Sequence, residues 1–207
     1  VIDPREIDLL HTPHMGPGLH LPLRPGTNVA VVTSLAHVIV AEKLYDEAFI
    51  RAKCDWDEFL AYAEFVLDPK HSPEEVEKLS KVPAELIRKA ARAYAAAPRA
   101  SIYYGLGVTE HSQGSTTVMA IANLAMMCGN IGVPGTGVNP LRGQNNVQGS
   151  CDMGSFPHEY PGYRHVSDPE TRALYQRVWG VELSPEPGLR IPNTVSYTHL
   201  RAHETRG

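Results

Sequence analysis

The sequence has few cysteines, little excess charge and no long hydrophobic run. Its three cysteines, Cys54, Cys128 and Cys151, lie far apart with no CxxC spacing, so they predict neither a zinc site nor an iron–sulfur site. No stretch approaches about 20 consecutive apolar residues, so no transmembrane helix is predicted. A net charge of -4 gives no reason to expect nucleic acid or an anionic membrane as a partner.

The composition is that of an ordinary globular protein. With 207 residues, 43% of them hydrophobic and 20% charged, the chain is long enough to bury a core and fits one domain or one and a half. No basic-then-apolar leader follows Val1, and the three cysteines are expected to be free thiols. A cytoplasmic location is therefore predicted.

Capping patterns predict the helices of the first half. Thr27 is a candidate N-cap for an apolar helix over NVAVVTSLAHVIVAEKL, and shorter helices are expected around 46–53 and 56–66. In HSPEEVEKLSKV, Ser72 is the predicted N-cap and Pro73 the first helical residue. Pro83 opens the following helix, AELIRKAARAYAAA, which has one apolar face.

Helices are also predicted in the second half. One runs through TTVMAIANLAMMC with Gly129 as its C-cap, and the last covers DPETRALYQRVWG at 168–180. The segment between them, 129–165, is rich in Gly and Pro and is expected to be mostly loop.

Three short segments have strand character. VIDPR at 1–5 resembles the end of a strand, LHLPLRPGT at 19–27 a short strand and turn, and ASIYYG at 100–105 a buried strand. Strands that alternate with helices favour an α/β fold with a parallel sheet. Ligands of such folds bind beyond the carboxyl ends of the strands, so the loops that follow these segments are candidate binding loops.

The loop after the third strand holds two glycines that allow a ligand to approach the backbone. Gly105, Leu106 and Gly107 alone are weak evidence, because turn glycines are more often structural. They also fail the dinucleotide fingerprint, since Glu110 stands where the third glycine belongs.

The most unusual stretch is NPLRGQNNVQGSCDMG, residues 139–154. It has one arginine, Arg142, followed by amides that include Gln144, with glycines between them. A guanidinium matches a carboxylate or phosphate, and amides donate and accept without adding charge. The stretch therefore predicts an anion or cofactor site, or else a loop whose amides satisfy its own backbone.

Several sequence motifs together resemble a known family. GTGVNPLRGQNNVQGSCDMG at 135–154 is similar to the signature loop of molybdenum- or tungsten-dependent formate dehydrogenases, which belong to the enzymes that bind bis-molybdopterin guanine dinucleotide. YGLGVTEHSQG at 104–114 and PHEYPGYRHVSDPETR at 157–172 resemble the same catalytic subunit. The resemblance covers nearly all of residues 1–193. The sequence is most similar to the catalytic subunit of soluble NAD-dependent formate dehydrogenases.

The resemblance implies specific roles. Arg142 stands where the family binds the formate carboxylate, and Gln144 where it has a glutamine near substrate and pterin. The positions matching one guanine-nucleotide arm of the cofactor are Asp3, Arg5, Arg24, Gly26, Thr27, Gly105, Leu106 and Gly107. The implied fold is part of the α/β catalytic subunit of the DMSO reductase family. The implied reaction is the reversible oxidation of formate to carbon dioxide, with electrons passing through iron–sulfur clusters to NAD.

The departures from the family indicate an internal fragment. The metal-ligating Cys or Sec and the amino-terminal [4Fe-4S] cysteines lie upstream in the family, so no metal ligand is predicted here. By itself the fragment is expected to be inactive. Its implied partners are formate and other subunits carrying iron–sulfur clusters and flavin.

Three segments are predicted along the chain. They are a partial α/β cofactor-binding domain at 1–138, a loop-rich active-site segment with its following helix at 139–193, and a non-native tail at 194–207. Two other functions stay open. One is another enzyme of the same cofactor family, acting on nitrate or another oxyanion, and the other is a non-catalytic nucleotide-binding module.

Overall fold

The computed structural model describes residues 1–13 and 18–201. The chain divides into two compact units, Val1–Leu141 and Arg142–Gly207. The helices of the first unit are α1 (Asn28–Ala41), α2 (Glu47–Lys53), α3 (Trp56–Leu67), α4 (Pro73–Ser80), α5 (Ala84–Ala96), α6 (Leu106–Thr109) and α7 (Gly114–Met127). Its strands are β1 (Ser101–Tyr104) and β2 (Gly137–Pro140).

The second unit is smaller and more irregular. Its elements are α8 (Val147–Asp152), β3 (Glu159–Tyr160), β4 (Arg164–His165), α9 (Pro169–Trp179) and α10 (Ile191–Arg201). β3 and β4 pair antiparallel as a hairpin. α10 spans the predicted start of the tail after Asn193, and the tail residues, which lack apolar periodicity, did not predict a helix.

The first unit confirms the α/β fold with a parallel sheet. β1 and β2 run parallel, with Ser101 opposite Gly137, and α6 and α7 form the crossover between them. α1 is the central helix of the core. Its Val31, Ala36 and Ile39 are fully buried, and Ile87 of α5 belongs to the same cluster.

The sheet is smaller than the sequence suggested. The strands expected at 1–5 and 19–27 reduce to one parallel bridge between Ile2 and Leu21, because Pro4 and Pro22 have no N–H with which to extend the pairing. The third strand is present as β1 but is not buried, since Tyr103 is 65% exposed. Tyr103 points away from the core, because side chains alternate across a strand.

Most predicted helices are confirmed, with changes at their ends. α1 begins after Thr27 as expected, but the Thr27 hydroxyl donates to the Arg24 carbonyl at 2.6 Å instead of capping the helix. α1 ends at Ala41, three residues before the end of the apolar pattern, because Lys43 turns into the left-handed region with φ 55°. Ser72 caps α4 through the Glu75 amide, and Gly129 ends α7 with φ 66°.

The segment 129–165 holds more structure than predicted. It contains β2, α8 and the β3–β4 hairpin, none of which shows a clear hydrophobic period. α8 lies within the amide-rich stretch that was expected to be loop. Hydrogen bonds from Gly162 and Tyr163 of the hairpin to Asp152 stabilise α8 although its sequence has no hydrophobic period.

Asp55 is the N-cap of α3. Asp55 accepts hydrogen bonds from the amides of Asp57 (2.9 Å) and Glu58 (3.1 Å). Replacing Asp55 by alanine removes this cap, and we expect the opening free energy of α3 to fall by about 1 kcal/mol. Hydrogen exchange of the α3 amides in the intact protein measures it. Asp57→Ala is the control, because Asp57 caps nothing. An equal loss in both variants would mean that the acidic charge, not the cap, stabilises α3.

Candidate functional site

A cavity of about 880 Å³ opens in the first unit, within the range that small-molecule sites occupy. Residues from α1, α5, β1, α6 and α7 line it, together with the segments that meet at the Ile2–Leu21 bridge. The cavity reaches the carboxyl end of β1 at Tyr104 and the amino end of α1 at Asn28. These are the two places where an α/β fold binds ligands.

Five of the eight residues predicted to bind the cofactor line this one cavity. They are Asp3, Arg5, Gly26, Gly105 and Gly107. They come from three separate segments of the sequence, and the parallel bridge and β1 bring them together. Grouping at one cavity is what a shared ligand requires.

The other three predicted residues do not line the cavity. Thr27 is buried, and both its amide and its hydroxyl bond to the Arg24 carbonyl, so it stabilises the turn before α1. Arg24 is exposed, and its amide donates to the carbonyl of Ser80 at 2.8 Å. Leu106 is 39% exposed at the start of α6.

The rim of the cavity is polar and carries both signs of charge. Asp3 is fixed locally, because its carboxylate accepts the Arg5 amide at 2.8 Å. The same residue's carbonyl contacts His20 Nε2 at 2.9 Å. Gly26 has φ 86°, which only glycine adopts easily, and this turn brings the chain to the amino end of α1. The partial positive charge of that helix end favours an anionic group.

The floor of the cavity is apolar. It consists of Leu21, Leu23, Leu35, Ile121 and Leu124, each at most 5% exposed. Tyr94, which the sequence placed only on the apolar face of α5, lines the cavity as well. Burial raises the pKa of Tyr94 to about 12, so its hydroxyl stays protonated at neutral pH. No feature of the sequence distinguishes Tyr94 from a core residue.

Arg142 and Gln144, the residues predicted to be catalytic, lie in the second unit. Both are exposed, on the segment that precedes α8. The Arg142 guanidinium contacts Cys151, with 3.9 Å between Nη2 and Sγ. A weak contact of this kind leaves most of the five N–H donors of the arginine available to an anion.

Cys151, the residue that Arg142 contacts, is buried. It is 7% exposed on α8, and like Cys54 and Cys128 it is a free thiol, as predicted. Burial raises the pKa of Cys128 to about 12, so that thiol is protonated and unreactive at neutral pH.

Across residues 1–13 and 18–201, no three His, Cys, Asp or Glu side chains group as a metal site.

Comparison with known proteins shows which family the chain resembles. The sequence profile of the family described as Molybdopterin oxidoreductase matches residues 1–198. Formate dehydrogenase H of Escherichia coli is 44% identical over 98% of the chain. F420-dependent formate dehydrogenase 1 subunit alpha of Methanococcus maripaludis is 45% identical over 95% of it. The chain spans 28% of the length of each of these relatives.

A solved structure with the same fold carries a different name. Acetylene hydratase from Pelobacter acetylenicus superposes with a TM-score of 0.59 and 27% identity, over 65% of this chain and 18% of that one. No helix in the part of the chain that the structure describes is long and apolar enough to cross a membrane. Because the family profile matches nearly every residue, the protein belongs to the molybdopterin oxidoreductase family.

Proposed function

We propose that the chain is part of the catalytic subunit of a formate dehydrogenase that uses molybdenum or tungsten. The observation that carries the proposal is Arg142 on an exposed loop, in a chain 44–45% identical to proteins named formate dehydrogenase. The substrate is formate, and its oxidation releases carbon dioxide, a proton and two electrons.

The cavity of the first unit suits one nucleotide arm of bis-molybdopterin guanine dinucleotide. A Cβ placed on Gly107 would have open space within 4 Å, so the backbone there is accessible to a ligand. The amino end of α1 favours a phosphate, and Asp3 and Arg5 offer an acceptor and donors for a polar heterocycle. When bound, the metal–pterin group supplies the redox chemistry.

Arg142 has the chemistry to hold the substrate. Its planar fork of N–H donors matches the two oxygens of a carboxylate, which fixes the direction of the formate C–H bond. Gln144 adds a neutral amide that donates to a substrate oxygen without attracting a second anion. In this proposal the two side chains bind and orient formate and take no proton themselves.

The path of the electrons is a further part of the proposal. The resemblance of the sequence to soluble NAD-dependent formate dehydrogenases favours electron transfer through [4Fe-4S] clusters and flavin-bearing subunits to NAD in the cytoplasm. One relative is named as F420-dependent and as an alpha subunit, which supports a multi-subunit enzyme. Supplying the intact enzyme with formate and either NAD or F420 identifies the acceptor.

Another reaction needs a direct test, because a solved structure with the same fold is named for a different activity, acetylene hydratase. Formate-dependent reduction of a dye by the intact subunit supports the formate dehydrogenase. Dye oxidation by nitrate or another oxyanion, with no response to formate, would assign the chain to another member of the family. A non-catalytic role predicts instead that residues 1–193 bind a guanine nucleotide without metal, which calorimetry detects.

Gly107→Ala tests the cavity. Gly107 lies in α6 without a positive φ, so alanine is expected to leave folding unchanged or slightly improved. The added methyl intrudes on a ligand that approaches the backbone, and we expect cofactor affinity to fall about tenfold. Pterin and metal content of the purified subunit measure it.

Thr109→Ala is the matched control, because Thr109 belongs to the same short helix but does not line the cavity. Full cofactor content in Gly107→Ala would show that the cavity does not hold the nucleotide arm.

A further inference from the structure

Three side chains of the second unit form a closed hydrogen-bonded group. The Tyr163 hydroxyl donates to Asp152 Oδ1 at 2.6 Å. Gln148 Nε2 donates to the same oxygen at 3.0 Å and to the Tyr163 oxygen at 2.7 Å. Gln148 and Asp152 lie one turn apart on α8, whereas Tyr163 belongs to the turn between β3 and β4. The group therefore ties α8 to the hairpin.

The backbone makes the same connection. The Gly162 amide donates to the Asp152 carbonyl at 2.8 Å, beside the side-chain bond from Tyr163. Tyr163 has φ 60°, a left-handed conformation that is unfavourable for a bulky residue. A bulky residue keeps such a conformation where surrounding contacts fix it, and the bond to Asp152 is one of them.

Charge strengthens the contact between the two residues. The hydrogen bonds from Tyr163 and Gln148 lower the pKa of Asp152, which is a carboxylate at neutral pH. The same carboxylate raises the pKa of Tyr163, so the phenol stays protonated and remains a donor. Both ends of the bond are then in the form that the geometry requires. A hydrogen bond to a charged acceptor is stronger than a neutral one.

The group is connected to the predicted formate arginine. Cys151, the neighbour of Asp152 on α8, is the residue that Arg142 contacts. A rotation or loosening of α8 moves Cys151 and the surface on which the guanidinium rests. Among the described residues no hydrogen bond or ion pair joins Asp152 or Tyr163 to Arg142, so an effect of theirs on formate has to pass through α8.

We propose that Asp152, Tyr163 and Gln148 form a clamp that holds α8 in place and thereby positions Arg142 for formate. The inference rests on the proposed function and extends it to positioning residues outside the substrate-binding loop. Loss of the clamp loosens formate binding without removing the groups that take part in the reaction. KM for formate therefore changes more than kcat does.

The test uses the intact catalytic subunit with its cofactor. Tyr163→Phe and Asp152→Ala each remove one partner, and each is expected to raise KM for formate about fivefold. kcat and cofactor content are expected to stay within about twofold of the unmodified enzyme. In the double variant the rise in KM is expected to be smaller than the product of the two single rises, because both changes break the bond between Tyr163 and Asp152. Asp152→Asn keeps an acceptor oxygen and is expected to restore most of the affinity.

A second measurement does not depend on turnover. Hydrogen exchange of residues 147–152 is expected to accelerate in Tyr163→Phe and Asp152→Ala, and to remain slow in Asp152→Asn. Tyr175→Phe is the matched control, since the Tyr175 hydroxyl also binds the hairpin, through the Pro161 carbonyl at 2.7 Å. In the described part of the chain, this substitution removes no hydrogen bond to α8. KM for formate is therefore expected to stay unchanged.

Several results would overturn the clamp. They are an unchanged KM in Tyr163→Phe, an equal rise in Tyr175→Phe, and a parallel loss of kcat and cofactor that marks a purely structural role. Arg142→Lys separates the two proposals. If it abolishes turnover while Tyr163→Phe has no effect, the clamp alone is wrong. If Arg142→Lys keeps formate turnover, the role of Arg142 fails and the clamp fails with it.

Discussion

Arg142→Lys in the intact enzyme is expected to lower kcat/KM for formate by about 10²–10³-fold, the loss typical of a misplaced oxyanion donor. Lysine keeps the positive charge but presents a single ammonium, which cannot hold both carboxylate oxygens in one plane. Cofactor content should be unchanged, because Arg142 is exposed and its guanidinium makes just the weak contact with Cys151 within residues 1–13 and 18–201. Formate-dependent dye reduction and metal analysis measure the two quantities.

Arg177→Lys is the control for that experiment. Arg177 is an exposed arginine in the last turn of α9, in the same unit but outside the loop. It should retain full activity. If Arg142→Lys loses cofactor and activity in equal measure, Arg142 supports the structure and does not bind substrate.

Gly154→Ala is expected to give the largest loss of stability in the second unit. Gly154 has φ 79°, and a Cβ there would lie 2.7 Å from the backbone N of Pro161 and the backbone C of Tyr160. Backbone atoms cannot turn aside as a flexible side chain does. The left-handed conformation and the clash together should cost roughly 3 kcal/mol. Hydrogen exchange of α8 and of the hairpin in the intact protein measures the loss.

Gly162→Ala separates the two contributions. Gly162 has φ 75°, close to that of Gly154, but a Cβ there would meet nothing within 4 Å. Its cost should be only that of the left-handed conformation, about 1–2 kcal/mol. Equal losses in the two variants would contradict the close approach of Gly154 to the hairpin.

Several helices were predictable because residues next to each end in the sequence determine where the helix starts or stops. Ser72 and Pro73 mark the start of α4 within a few residues, and Gly129 marks the end of α7 by a conformation that glycine favours. α8 carries no comparable mark. It is held by Gly162 and Tyr163 of the hairpin, which also lies against Gly154 just after α8, and no period in the α8 sequence reveals these contacts.

The candidate site divides in the same way. Gly26, Gly105 and Gly107 were identified because they follow strands or precede a helix, and the fold brings them to one cavity. Thr27 was assigned with them by its place in the chain, but its hydroxyl has a closer acceptor in the Arg24 carbonyl. The contact of Arg142 with Cys151 joins residues nine positions apart across a turn, and residue types alone do not predict it.

The parallel pairing of β1 with β2 has a consequence for synthesis of the chain. Ser101 pairs with Gly137, so β1 leaves the ribosome 36 residues (137 minus 101) before its partner. At ordinary translation rates that is a delay of about 2–7 s, far longer than α7 needs to form. During this interval β1 has an unpaired edge open to strands of other nascent chains. Slow codons between 105 and 136 would lengthen the delay and should increase aggregation, without any change in the finished protein.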